Sequence, residues 1–169
     1  ICHFAHGAVF VIAAYIFKLF VGDLGLHWTI ALSASLCAAI ASGLLINRLI
    51  YVPIQRHEGA YFTVFVASFG VMIFVQNMVA IIFGRGFSTI DTQLSTAVEV
   101  TSGLLVAPLF AIAIACSVVI LVSLHFFLKR SHVGIALRAL SQNPELIHTF
   151  GLSARRLSNY AFALGSALA

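Results

Sequence analysis

Few side chains in this sequence are equipped for covalent chemistry, and those that are stand apart. His3 and His6 share a helical face at the i, i+3 spacing that can hold a metal ion, but no Asp, Glu or Cys completes the set. No metal site is expected, and His6 beside Gly7 reads better as a helix-entry residue with a packing or gating role. A membrane-embedded enzyme using these histidines and a metal is therefore the weaker rival. Cys2, Cys37 and Cys116 are scattered in apolar surroundings, with no CxxC, and read as small packing residues. Neither Lys18 nor Lys129 follows a glycine, so the phosphate cradle of an ATP hydrolase is missing. No catalytic residue and no cofactor is assigned to this chain, and any ATP it uses is bound elsewhere. His27, His57, His125, His132 and His148 lie near segment ends or in loops and carry no separable signal.

Two amides are more informative. Gln76 and Asn77 interrupt an otherwise apolar run, where an unpaired amide costs several kcal/mol. They must face protein or a watery path, and about 100° of helix separates them, so they cannot share one direction. An interhelical hydrogen bond and a place beside a substrate path both remain open.

The elements that position these residues follow from composition. The 169 residues are 62% hydrophobic and 8% charged, with a mean hydropathy of +1.09. Nine Lys+Arg and five Asp+Glu are too few to wet the surface of a soluble globule of this size. Fifteen Phe exclude a disordered chain, and the cations lie between apolar blocks, which excludes a nucleic-acid face. An integral membrane protein in a lipid bilayer remains. A spanning helix needs about 20 apolar residues. Trp28–Ile46, Tyr61–Phe83 and Leu104–Leu128 supply three without charge, the last starting nearer Pro108 because proline suits a first turn. Phe4–Gly22 supplies another, with Lys18 near enough to one end to snorkel. Leu157–Ala169 is the start of a fifth. The fold class is all-α, a polytopic transmembrane helical bundle forming a single domain over residues 1–169. The chain opens at Ile1 and stops inside an apolar run, so a fragment of a longer protein is expected, with further helices at its ends.

Charge sets the orientation. The second and fourth loops, 47–60 and 129–156, hold seven Lys and Arg, against one in the first and third. Basic residues are retained inside, which makes 47–60 and 129–156 cytoplasmic. In the second span Ala31, Ser35, Ala38, Ala39, Ser42 and Gly43 permit close helix approach, within the chain or against another subunit. Ser33, Ser35, Ser42, Ser117 and Ser123 can return their hydroxyls to backbone carbonyls and need not mark a polar path.

The loop 129–156 is longer than a connection requires. Val133, Ala136, Leu137 and Leu140 form an apolar stripe beside Arg138, which predicts one short helix. Asn143 as N-cap, Pro144 at the first position, Glu145 in the first turn and Gly151 as the stop predict another. Such a capped apolar helix suits either a partner's groove or the lipid surface.

At these residues the sequence resembles the permease subunits of ABC importers for branched-chain amino acids. Phe4-Ala5-His6-Gly7 with Ala14-Tyr15 is similar to the family's N-F-A-H-G … G-A-Y opening. Arg48-Leu49-Ile50-Tyr51-Val52-Pro53 resembles its E-R-x-x-Y-R-P-L-R stretch, and Ser68-Phe69-Gly70, Gln76-Asn77 and Phe83-Gly84 its T-x-G … Q-N … F-G helix. Most specific are Arg138-Ala139, Gln142-Asn143-Pro144-Glu145, Gly151-Leu152 and Phe162–Ala169. Departures occur at His3, Ala13, Asn47, Val52 and Gln55, and Leu146 and Ile147 replace two alanines of the family's coupling motif.

The resemblance implies a transport subunit of the bacterial inner membrane, not an enzyme, with ATP on a separate ABC ATPase. Arg138, Asn143, Pro144, Glu145 and Gly151 would couple the chain to that ATPase. His6, Gly7, Gln76 and Asn77 would lie on the path or in helix packing. A second permease subunit and an external substrate-binding protein complete the expected assembly. A permease for urea, an amide or another small solute is an alternative. A self-contained carrier or channel is another, although the spans hold no Asp, Glu, Lys or Arg besides Lys18 for ion coupling.

Overall fold

A computed structural model of the protein describes residues 5–56, 61–84, 86, 98–101, 104–142, 151 and 153–169. Among the described residues, four helices are long and apolar enough to cross a membrane: Ala5–Asp23, Trp28–Ile54, Phe62–Phe83 and Pro108–Arg130. The chain forms two compact units, Ile1–Phe87 with Ser158–Ala169, and Ser88–Leu157.

In the first unit, α1 (Ala5–Lys18) runs on into a π turn, Leu19–Asp23. Gly25, at φ +61°, ends it in the left-handed region that glycine enters at little steric cost. The Leu26 N–H donates to Phe20 O at 2.9 Å, so the chain reverses within a few residues. His27 then caps α2 (Trp28–Ile46), its Nδ1 accepting from the Thr29 N–H at 3.4 Å. Imidazole here substitutes for the usual Ser or Asp.

The second span is longer than its apolar run predicts. Residues 47–56, expected as part of a loop, continue the helix through a π turn at Asn47–Tyr51 into α3, Val52–Arg56. Pro53 explains the irregularity. A proline has no N–H to donate and its ring crowds the carbonyl of the preceding turn. Widening that turn, with the Val52 N–H donating to Asn47 O, relieves the crowding without ending the helix.

α4 (Tyr61–Phe83) closes this unit and ends before Gly84, at φ +85°. α1 packs against both α2 and α4. Gly7 of α1 faces Met72 of α4, and Tyr15 stacks near Phe83 at 4.8 Å between ring centroids. These two contacts advance together along both helices, so α1 and α4 run parallel, as alternate spans must.

Every fourth residue of α2, namely Ala31, Ser35, Ala39 and Gly43, is buried. These are four of the six small residues whose spacing predicts close approach, and they mark the face that packs. The Ser33, Ser35 and Ser42 hydroxyls donate to the carbonyls of Ile30, Ala31 and Ala39 at 2.8–2.9 Å. They spend themselves on their own helix, as expected. Ala5, Val9, Ala39, Ile46, Tyr51 and Val64 form the buried cluster, with Phe162 packed on it.

In the second unit, Val98–Thr101 (β1) and Leu104–Val106 (β2) pair antiparallel. Leu104 therefore belongs to a hairpin rather than to the span that follows. α5 (Pro108–Arg130) starts with the proline at its first turn, where no N–H is needed. α6 (His132–Gln142) folds back on the last turn of α5 through Ser131. Ser131 both closes α5, its N–H donating to Phe127 O at 2.9 Å, and opens α6, its carbonyl accepting from Ile135 at 2.9 Å. The last helix, α7 (Ala154–Ala167), begins in this unit and ends in the first.

Cys37 and Cys116 are unpaired and exposed. The expectation that they fill gaps in this chain's packing is not met for either.

Candidate functional site

Asn47, Tyr51 and Ser68, three of the buried polar side chains of the first unit, come together where α2 passes into α3. Asn47 and Tyr51, one turn apart in the π segment, are 1% and 2% exposed. The Asn47 Nδ2–H donates to Asn159 Oδ1 of α7 at 2.8 Å. Tyr51 hydrogen-bonds the Ser68 side chain, and the Ser68 hydroxyl donates to Phe65 O at 2.6 Å. The Tyr51 ring lies 5.3 Å from that of Phe162. A Cβ built on Gly43 would run into the Ser166 side chain, reaching its Cβ at 2.7 Å. Three positions four residues apart on one helix (Gly43, Asn47, Tyr51) thus meet Ser166, Asn159 and Phe162 on α7.

Polar groups inside an apolar bundle are tolerated when paired, and each interhelical bond contributes about 0.6 kcal/mol, up to about 1.7. This network ties the Pro53 turn to α4 on one side and to α7 on the other. Sequence reasoning marked Asn47 only as a departure from the family pattern and passed over Asn159. The signal it lacked is tertiary: the partners lie more than a hundred residues apart. A polar pair of that separation leaves no local periodicity.

The residues singled out on α1 and α4 sit elsewhere. His6 is exposed, while Gly7 is half-buried. A methyl group at Gly7 would stand 3.7 Å from Met72 Sδ, an ordinary contact, so glycine is not demanded there by space. Gln76 and Asn77 are both exposed. The Asn77 amide donates to Ile73 O of its own helix at 2.8 Å rather than to another helix. Among the described residues no three His, Cys, Asp or Glu side chains gather as a metal site would require.

In the second unit Arg138 is exposed on α6, opposite the half-buried stripe of Val133, Ala136, Leu137 and Leu140. Gly134 is buried where α6 meets α5. Gly151 takes φ +69°, the left-handed conformation suited to a helix stop. The residues before it, Asn143, Pro144 and Glu145 with the rest of the expected capped helix, lie outside the described residues. The geometry offers positioning rather than bond-making: apolar helices, one amide pair between buried Asn47 and exposed Asn159, and exposed amides on α4.

A polytopic helical membrane protein is the class these features define. The chain belongs to the family described as branched-chain amino acid transport system / permease component, which it matches over residues 1–169. It is 25% identical over 179 aligned positions to the high-affinity branched-chain amino acid transport system permease protein BraD of Pseudomonas aeruginosa. It is 22% identical to the permease protein LivH of Salmonella typhimurium and to that of Salmonella typhi. In each case 99% of this chain aligns with 58% of the relative, so the chain spans rather more than half their length. No solved structure matches.

Proposed function

We propose that the protein acts as a translocation subunit of an ATP-driven importer for branched-chain amino acids. The observation that carries this reading is the family match along every residue of the chain. The four apolar helices agree with it. The subunit would sit in the bacterial inner membrane beside a second permease subunit, receive substrate from an external binding protein, and be driven by ABC ATPases. Transport follows from shifting the balance between inward- and outward-open arrangements, so that only differential binding of partner and substrate does work. Residues 47–60 and 129–156 would face the cytoplasm, with Asn143, Pro144, Glu145 and Gly151 against the ATPase and Arg138 nearby. Gln76 and Asn77, both exposed on α4, would border the path or a further helix, and His6 and Gly7 would lie beside it.

The test is uptake of radiolabelled leucine into proteoliposomes holding the full-length protein with its ATPase and receptor. ATP-dependent accumulation is expected. Uptake without nucleotide would favour a self-contained carrier, and uptake of urea in place of leucine would redirect the substrate. Sidedness has its own check. Ser141 is exposed on α6, so Ser141→Cys should react with an impermeant maleimide only in inside-out vesicles. Labelling only from the opposite face would invert the topology.

A further inference from the structure

Asn47 and Asn159 are joined by one bond where two primary amides can make two. The Asn47 Nδ2–H reaches Asn159 Oδ1 at 2.8 Å, yet Asn47 Oδ1 is buried with no hydrogen-bond partner among the described residues. An orphaned buried acceptor is costly, and a half-satisfied pair is less stable than a closed one. The group that would satisfy it is present in the same side chain that already holds its partner, the Asn159 Nδ2. A closed amide pair needs only a small turn or slide of α7 against the π segment.

Where this pair stands gives the movement a direction. α7 starts at Ala154, soon after the Gly151 stop, and its residues from Ser158 onward belong to the first unit. Asn159 stands on this helix, so a slide of α7 moves it against Asn47. From Asn159 the contacts run to Asn47, and in the same π turn Tyr51 reaches Ser68 of α4, the helix that bears Gln76 and Asn77. A π segment is less regular than the α-helix around it and is a common seat of such adjustment.

We propose that Asn47 and Asn159 are positioning residues forming a two-position latch, one bond in the arrangement seen here and two in the alternative arrangement of the transport cycle. A slide of α7 against the π segment would close the latch and reach α4 through Tyr51 and Ser68. The proposal rests on the importer reading given above.

Asn159→Asp separates the latch from mere packing. A carboxylate at this exposed position keeps the acceptor for the Asn47 N–H but has no N–H for the return bond. Asn47→Leu/Asn159→Leu removes both partners together and so strands neither amide. Full-length assemblies in proteoliposomes are assayed for leucine accumulated per ATP hydrolysed, alongside the amount of inserted protein. Both variants should insert at parental levels, and each should lower the ratio about threefold or more, the factor one interhelical bond supplies. Asn159→Gln, which retains both amide functions, should recover part of the loss. An unchanged ratio in Asn159→Asp overturns the latch. A ratio that falls only in step with inserted protein overturns it as well, because the pair is then structural. If the parental assembly itself shows no ATP-dependent uptake, the importer reading fails first, a result distinct from either.

Discussion

Replacing Gly134 with alanine is expected to break the corner between α5 and α6. A Cβ at this position would lie 2.5 Å from Leu128 Cα and 2.6 Å from Phe127 O. Both are backbone atoms, so no rotamer change relieves the clash, and α6 must lift from the last turn of α5. Overpacking of this kind costs about 1–3 kcal/mol, more where only backbone can yield. The short Ser131 linkage would yield with it, since its carbonyl and hydroxyl serve the first turn of α6. Limited proteolysis of inside-out vesicles should show faster cleavage between Arg130 and Arg138 in the variant. Ala139→Leu on the exposed side of the same helix provides the comparison and should leave cleavage unchanged. Equal protection of Gly134→Ala and the parent would mean that α6 is not held by this contact.

Gly151→Val should abolish coupled transport while leaving the spans inserted. Valine at φ +69° carries the left-handed penalty of about 1–2 kcal/mol, and β-branching makes it a severe occupant. The turn that delivers the chain into α7 would change its path, and with it the segment proposed to face the ATPase. The expected result is loss of ATP-driven leucine uptake by an order of magnitude or more, with hydrolysis by the assembled ATPase persisting. Gly151→Asn, which enters the left-handed region more readily, should retain an intermediate rate. Failure of Gly151→Val to insert would assign the glycine a folding role instead.

Much of the architecture was legible because lipid imposes a long, plain signal. A run of about 20 uncharged residues has few other uses, and the spans begin and end near where composition places them. Pro108 gave the start of α5 for a reason that holds in any helix. Pro53 misled for the same reason: a proline among polar residues reads as a break, whereas the π turn at Asn47–Tyr51 carries the helix past it to Arg56. Leu104, Leu105 and Val106 looked like the opening of a span, and their pairing with Thr101, Glu99 and Val98 could not be seen without a partner strand. The stripe of Ala31, Ser35, Ala39 and Gly43 was readable, since small residues at fourfold spacing have a direct packing meaning. Asn77 shows the limit. Its need for a hydrogen bond was plain, but the sequence could not say that Ile73 O, on its own helix, would meet it.

The turn at Asn47–Tyr51 also bears on how this chain tolerates changes of length. A π turn closes its hydrogen-bonded ring with one residue more than an α turn, so it accommodates a surplus residue while the helix on either side keeps its heading. Deleting one residue there would restore a regular ladder, but the ring of Pro53 would then press on the carbonyl one turn back. Surplus and proline are therefore expected to come and go together, and a shortened variant should regain stability only when Pro53 is replaced as well.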